Sequence, residues 1–248
     1  MTKKASPQSV LKTNQTVQIS PLTRAFHRTF NLGALKPHVK TILPHLDSPG
    51  GTFVEVGARD GLKDSITPYL EKGLGWKGLL IEPWPHLFLQ CRKNRKSSIT
   101  LNVAASESLL RDSYIEIYGR PPSASVRLKL IQEAKERLEG KAPVTKPPVS
   151  RDLKAINYVS TNSITGILDR ANFETQFDLM AFNLIGYENQ ALDGLDFDRY
   201  QPTFLLFRTI TKNISLPNLP PYYQRIVSSS HNDRTNLHLF RYSEFGAN

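Results

Sequence analysis

Along the chain, apolar positions fall first at helical spacing and then in short unbroken runs. Leu22, Ala25, Phe26, Phe30, Leu32, Leu35, Val39, Ile42 and Leu43 recur every three or four residues, which predicts one or two short amphipathic helices between Pro21 and Leu46. Ser48-Pro49-Gly50-Gly51 ends that pattern, and Thr52 to Gly57 reads as a buried strand entering a glycine turn. Helix-compatible sequence from Ser65 to Lys72 is followed by a strand from Gly78 to Pro83, a helix from Pro85 to about Asn94 and a strand from Ile99 to Val103. Later, Ser163 to Ala171 predicts a helix, Phe177 to Leu184 a strand, Glu188 to Leu192 the start of a helix, Thr203 to Phe207 a fifth strand and Leu237 to Tyr242 a last one. Strands that alternate with helices imply a mostly parallel sheet with helices on both faces, the α/β class.

Two segments break this rhythm. Residues 1–20 are polar, rich in Ser, Thr, Gln and Lys, and read as a flexible basic arm. Residues 119–157 form an insertion in which prolines flank Ser125 to Glu139, with Val126, Leu130, Ala134 and Leu138 at helical spacing. We read this insertion as a lid over the site in preference to a mobile surface excursion. The remainder, 21–248 with a helical lead-in over 21–47, is taken as a single domain, which suits a chain of 248 residues.

Composition narrows the class. With 39% hydrophobic and 22% charged residues the chain is globular in character, and no run approaches the roughly 18 apolar residues of a membrane span. The single cysteine, Cys91, cannot form an internal disulfide, which favours a reducing, cytoplasmic setting. It follows Leu87-Phe88-Leu89-Gln90 in a predicted helix and reads as a packing residue before a reactive thiol. The net charge of +10 is uneven, because residues 1–46 hold seven basic and no acidic groups. A nucleic-acid partner would thus rest on the N-terminal arm, for which a solvated tail is the commoner explanation.

The chemistry concentrates in Phe53-Val54-Glu55-Val56-Gly57-Ala58-Arg59-Asp60-Gly61, a strand running into a turn with glycine at both ends. Such a turn lets a ligand approach the backbone, at the strand ends where doubly wound sheets bind their guests. Neither Gly-x-Gly-x-x-Gly nor the phosphate-loop spacing is complete, so a diphosphate is not the obvious guest. Glu82, at the end of the second strand, has the type and place to accept hydrogen bonds from ribose hydroxyls, and Glu55 to hold a cationic amine. A ribose with an ammonium and no phosphate describes S-adenosylmethionine; a purely structural strand, turn and helix is the alternative on these residues. No His, Cys or Asp spacing suggests a metal site. Isolated His86, His231 and His238 read as surface or packing residues.

These segments resemble the FkbM-type methyltransferases. Phe53 to Gly61 is similar to the opening motif of that family, Gly75-Trp76-Lys77-Gly78-Leu79-Leu80-Ile81-Glu82-Pro83 to its second strand and Asn102-Val103-Ala104-Ala105-Ser106 to the segment after its third. Gly186-Tyr187-Glu188, Leu192 to Phe197 and Tyr200-Gln201-Pro202 resemble its later region. The resemblance implies a Rossmann-like class I methyltransferase fold and S-adenosylmethionine-dependent methylation, usually at an oxygen, here of a small-molecule or glycan acceptor. Carried over residue by residue, it gives Glu55, Gly57, Asp60, Gly61, Glu82, Pro83, Ala104 and Ser106 as cofactor-binding candidates, and Asn183 and Glu188 as catalytic ones. Two departures stand out. Where the family usually has Asp-x-Glu-Gly this chain has Asn183-Leu184-Ile185-Gly186, and where relatives commonly end the fifth strand in Glu it has Arg208. Chemistry that needs those acids is closed to it, since Asn and Ile accept no proton near neutral pH. Either alignment alone drives the transfer, with Asn183 beside the methyl group, or the domain is a catalytically silent binding or scaffold module. We read an active enzyme first.

Overall fold

A computed structural model describes residues 31–108, 112–118, 156–184, 186–209, 216–231 and 235–244. The arm at 1–20, the first part of the helical lead-in (21–30) and nearly all of the insertion at 119–157 lie outside the described residues. Of the helical lead-in, two 3-10 turns at Gly33–His38 and Leu43–His45 flank a one-turn helix α1 (Val39–Ile42). Over the described part of the lead-in, Pro37 and Pro44 keep the predicted one or two helices to short turns, because proline lacks the amide that a helix interior requires.

Strand β1 (Thr52–Val56) is followed by helix α2 (Pro68–Leu74), β2 (Lys77–Ile81), helix α3 (Pro85–Asn94) and β3 (Ile99–Leu101). Both helices start with proline at their first position, where no amide is missed, and α2 ends on Gly75 in the left-handed conformation (φ 71°). Three short strands come next: β4 (Ala104–Ser106), β5 (Tyr114–Tyr118) and β6 (Ile156–Ser163). Helix α4 (Ile164–Arg170) is capped by the Ser163 hydroxyl, which accepts from the Gly166 amide at 3.1 Å. The chain then forms β7 (Gln176–Phe182), helix α5 (Glu188–Leu192), β8 (Gln201–Thr209), β9 (Tyr223–His231) and β10 (Thr235–Tyr242).

The main sheet has seven strands in the order β3-β2-β1-β7-β8-β10-β9. The strands from β3 to β8 run parallel, while β10 pairs antiparallel with both β8 and β9. The fold is thus α/β and Rossmann-like, as the alternation of elements implies, with β10 as its antiparallel strand and β9, which the sequence pattern did not predict, at its edge. The second sheet, β4-β6-β5, was not anticipated. Its β5 and β6 pair antiparallel and bracket the insertion, Tyr118 facing Ile156 across the pair.

Apolar side chains fill both faces of the main sheet. Val54, Val56, Leu79 and Ile81 pack with Ile164, Ile167 and Leu168 of α4 and with Ala191 and Leu192 of α5. On the other face, Phe53, Leu80 and Leu179 pack with Tyr69 and Leu70 of α2, Cys91 of α3 and Leu35, Ile42 and Leu43 of the lead-in. This division decides the site, because neighbouring residues of a strand point to opposite faces. Among the described residues no helix is long and apolar enough to cross a membrane.

Candidate functional site

At the carboxyl edge of the parallel strands, on the α4 and α5 face, lies a cavity of about 240 Å³. Val56 and Gly57 from the end of β1, Ile81 and Pro83 from β2, Ala104 to Ser106 of β4, Leu184 after β7, and Ile115, Thr161 and Tyr187 line it. Its wall is apolar apart from hydroxyl and backbone groups, which suits a flat heteroaromatic ring held by few directed bonds. Four of the eight cofactor-binding candidates, Gly57, Pro83, Ala104 and Ser106, come together here.

The other four serve the turns behind the wall. Glu55 shares the face of Phe53, opposite the cavity, and is fully buried. Its carboxylate accepts from the Ser65 hydroxyl at 2.7 Å, the Ile66 amide at 2.7 Å, and the Thr67 hydroxyl and amide at 2.6 and 3.2 Å. Glu55, expected to hold the cofactor amine, has its side chain turned by strand alternation to the face opposite the cavity, and the loop that leads into α2 donates to both of its oxygens. Burial raises its pKa, opposed by Arg95 and by these donors. Asp60 accepts from the amides of Leu62 and Asp64 at 3.0 and 3.3 Å and so fixes the local turn.

The two glycines have different reasons. Gly57 has φ +86°, and a Cβ there would lie 2.7 Å from the Asn183 carbonyl oxygen. Gly61 has φ +75°, and its Cβ would meet Cys91 Sγ and Arg95 Cγ, both at 2.8 Å. The turn is therefore glycine at one end so that β7 can sit close, and at the other so that α3 can. Ligand approach is not the demand at Gly61. Cys91 is accordingly a packing residue, its thiol pushed up to about 12 by burial.

Glu82 is 1% exposed, with one oxygen accepting from the Arg59 amide at 2.7 Å and the other from the Trp84 amide at 3.0 Å. It ties the turn after β1 to the turn after β2, the two lips that bound the cavity, and does not itself line it. Burial raises its pKa, against the lowering by those two amides. Glu55 and Glu82 therefore do not face a shared cavity.

Beneath α3, Arg95 is wholly buried and paired with Glu71 at 2.9 Å. It donates further to Gly61 O and Ser65 Oγ at 3.1 Å, and to Thr67 Oγ1 and O at 2.9 and 3.2 Å. Sequence pattern alone gave no hint of this residue, since a basic group at a helix end is ordinarily solvated.

Asn183 is buried behind the β1 turn. Its amide nitrogen donates to Gly57 O at 3.0 Å and Asp64 O at 2.7 Å, and its amide oxygen accepts from Arg208 Nη1 at 3.2 Å. The two departures from the family pattern thus touch each other. Glu188, the first residue of α5, is buried and accepts from the Gly186 amide at 2.7 Å, closing the turn after β7. Neither candidate is among the residues that line the cavity. Tyr187 and Thr161 are, and the second depends on a strand that the sequence pattern did not expose. Among the described residues no cluster of three or more His, Cys, Asp or Glu could hold a metal ion.

The methyltransferase FkbM domain model matches residues 55–232, more than two thirds of the chain. The chain belongs to this family. No curated protein matches it. Among solved structures, a TehB-like SAM-dependent methyltransferase from Corynebacterium glutamicum is similar at 10% identity and a TM-score of 0.42, over 89% of this chain and 94% of that one. An RNA methyltransferase from Salinibacter ruber, in complex with S-adenosyl-L-homocysteine, is similar at 12% identity and 0.41, over 85% and 93%. A conserved hypothetical protein from Streptococcus pyogenes is similar at 8% identity and 0.39, over 79% and 88%.

Proposed function

We propose that this FkbM-family domain binds S-adenosylmethionine in the 240 Å³ cavity and methylates a hydroxyl of a small-molecule or glycan acceptor. The observation that carries the reading is the meeting of Gly57, Pro83, Ala104 and Ser106 around one apolar cavity at the carboxyl edge, inside the matched segment. The residues fit the nucleoside part. Ala104, Ala105 and Pro83 offer flat contact to a ring, Ser106 and Thr161 offer hydroxyls, and Glu82 fixes the two lips of the cavity. Glu55 has no direct part in it.

The cofactor, when bound, supplies a methyl group on a sulfonium; transfer forms an oxygen–carbon bond, breaks the carbon–sulfur bond with its pair left on sulfur, and releases the hydroxyl proton to water. What the chain contributes is alignment, because the Asn183 amide is committed to the protein and is no base. The reduced, buried Cys91 supports a cytoplasmic setting.

Calorimetry with S-adenosylmethionine on the wild type, Ala104→Leu and Glu82→Ala tests the reading, with circular dichroism to verify folding. Binding in the wild type that falls at least about tenfold in Ala104→Leu is expected, because added methyl groups fill the cavity. A wild type that binds no cofactor refutes it. Binding without turnover on any hydroxyl acceptor would instead identify a silent binding module.

A further inference from the structure

A second and larger cavity, of about 430 Å³, opens at the same carboxyl edge but on the α2 face of the sheet. Lys36 of the lead-in, Lys63 of the loop after β1 and Arg208 at the end of β8 line it, together with Asn31 and Thr235. No carboxylate belongs to that lining among the described residues. Three cations from three separate parts of the chain line one concavity, while the carboxylates whose charge acts on Arg208, those of Asp64 and Glu55, lie outside its lining.

Arg208 is the built element. Its hydrogen bonds to Asn183 Oδ1 at 3.2 Å and Asp64 O at 3.3 Å both leave from Nη1. Its Nε is buried and has no hydrogen-bond partner among the described residues. A guanidinium held by one nitrogen keeps the Nε and Nη2 edge for a second partner, and that edge matches two oxygens of a carboxylate or phosphate. A buried unsatisfied donor costs free energy that such an anion removes.

The Asn183 amide joins this cavity to the other. It donates to the carbonyl of Gly57, which lines the first cavity, and accepts from Arg208, which lines the second. We propose that the larger cavity binds the anionic group, carboxylate or phosphate, of the methyl acceptor, with Arg208 as its bidentate partner and Lys36 and Lys63 as flanking charges. As a statement about the acceptor this rests on the methyltransferase reading; as an anion site it stands on its own residues.

The test is binding of inorganic phosphate and of succinate to the full chain at low ionic strength, followed by calorimetry, for the wild type, the exposed pair Lys36→Ala/Lys63→Ala, and Arg208→Lys. Saturable binding that weakens about tenfold or more in the lysine pair, and in Arg208→Lys even with its charge retained, is expected. Absence of binding, or equal binding by all three proteins, overturns the proposal. Preference for phosphate over succinate, or the reverse, identifies the acceptor group. Acceptor assays then compare a neutral glycoside with its phosphate and its uronic acid, and methylation of the neutral compound alone refutes the assignment to the acceptor. Cofactor binding is read separately, so loss of the methyltransferase reading leaves an anion result interpretable.

Discussion

Restoring the residue that the FkbM family usually carries at position 183 should weaken this protein. The wild-type amide donates to Gly57 O and Asp64 O and accepts from Arg208. In Asn183→Asp the two carbonyls, at 3.0 and 2.7 Å, face an acceptor where a donor stood. Each buried carbonyl left without a donor costs roughly 1–3 kcal/mol, and a charge-assisted bond to Arg208 returns about 1.5–3 kcal/mol. The balance is a net loss of about 2 kcal/mol, or a fall of roughly 4–8 °C in Tm for a domain of this size. Urea denaturation of wild type, Asn183→Asp and Asn183→Ala measures it, with Asn183→Ala lower still if Arg208 then loses its acceptor. A stability for Asn183→Asp within about 0.5 kcal/mol of wild type, beyond which changes at buried sites normally stand out, refutes the clamp. So does new methyl-transfer activity in that variant, which would make position 183 the lost catalytic site of a silenced enzyme.

Further outcomes follow from the same loop cluster. Arg95→Met should cost about 3–5 kcal/mol in urea denaturation, because Glu71 keeps its buried charge without its partner; a loss below about 1 kcal/mol would show that the pair is solvated. Gly57→Ala should lower both stability and cofactor affinity, since a left-handed backbone and a Cβ at 2.7 Å from the Asn183 carbonyl oppose it; unchanged calorimetry would separate this turn from the cavity. His38, buried and bonded to Ser229, has its pKa lowered from 6.5 to about 4 by burial, with His231 and Arg208 adding to the effect. The unfolded chain then binds the extra proton, so this group removes stability as pH falls from about 6.5 to about 4 and adds nothing below that. The slope over that window should flatten in His38→Gln, and an unchanged slope would assign it to other groups.

Local pattern determined a good deal of this protein. The helix Glu188–Leu192 falls where the sequence reading placed the start of one, and Pro85–Asn94 where a proline opened it and an apolar run continued it. The parallel strands β1, β2 and β7 follow from short apolar runs that no amphipathic period explains, since both of their faces are covered. The segments that build the cavity, around Gly57, Glu82 and Ala104, were legible too, because a glycine turn and strand ends are local features. The small sheet was not: its strands owe their existence to pairing across the insertion, a contact that exists only once the chain has folded back. Strand alternation and the loop into α2 decided that the Glu55 carboxylate bonds to the interior, on the face opposite the cavity. The close approach of α3 decided why Gly61 must be glycine. The meeting of Asn183 with Arg208 joins positions far apart in the chain, and only the pairing of β7 with β8 brings their side chains together.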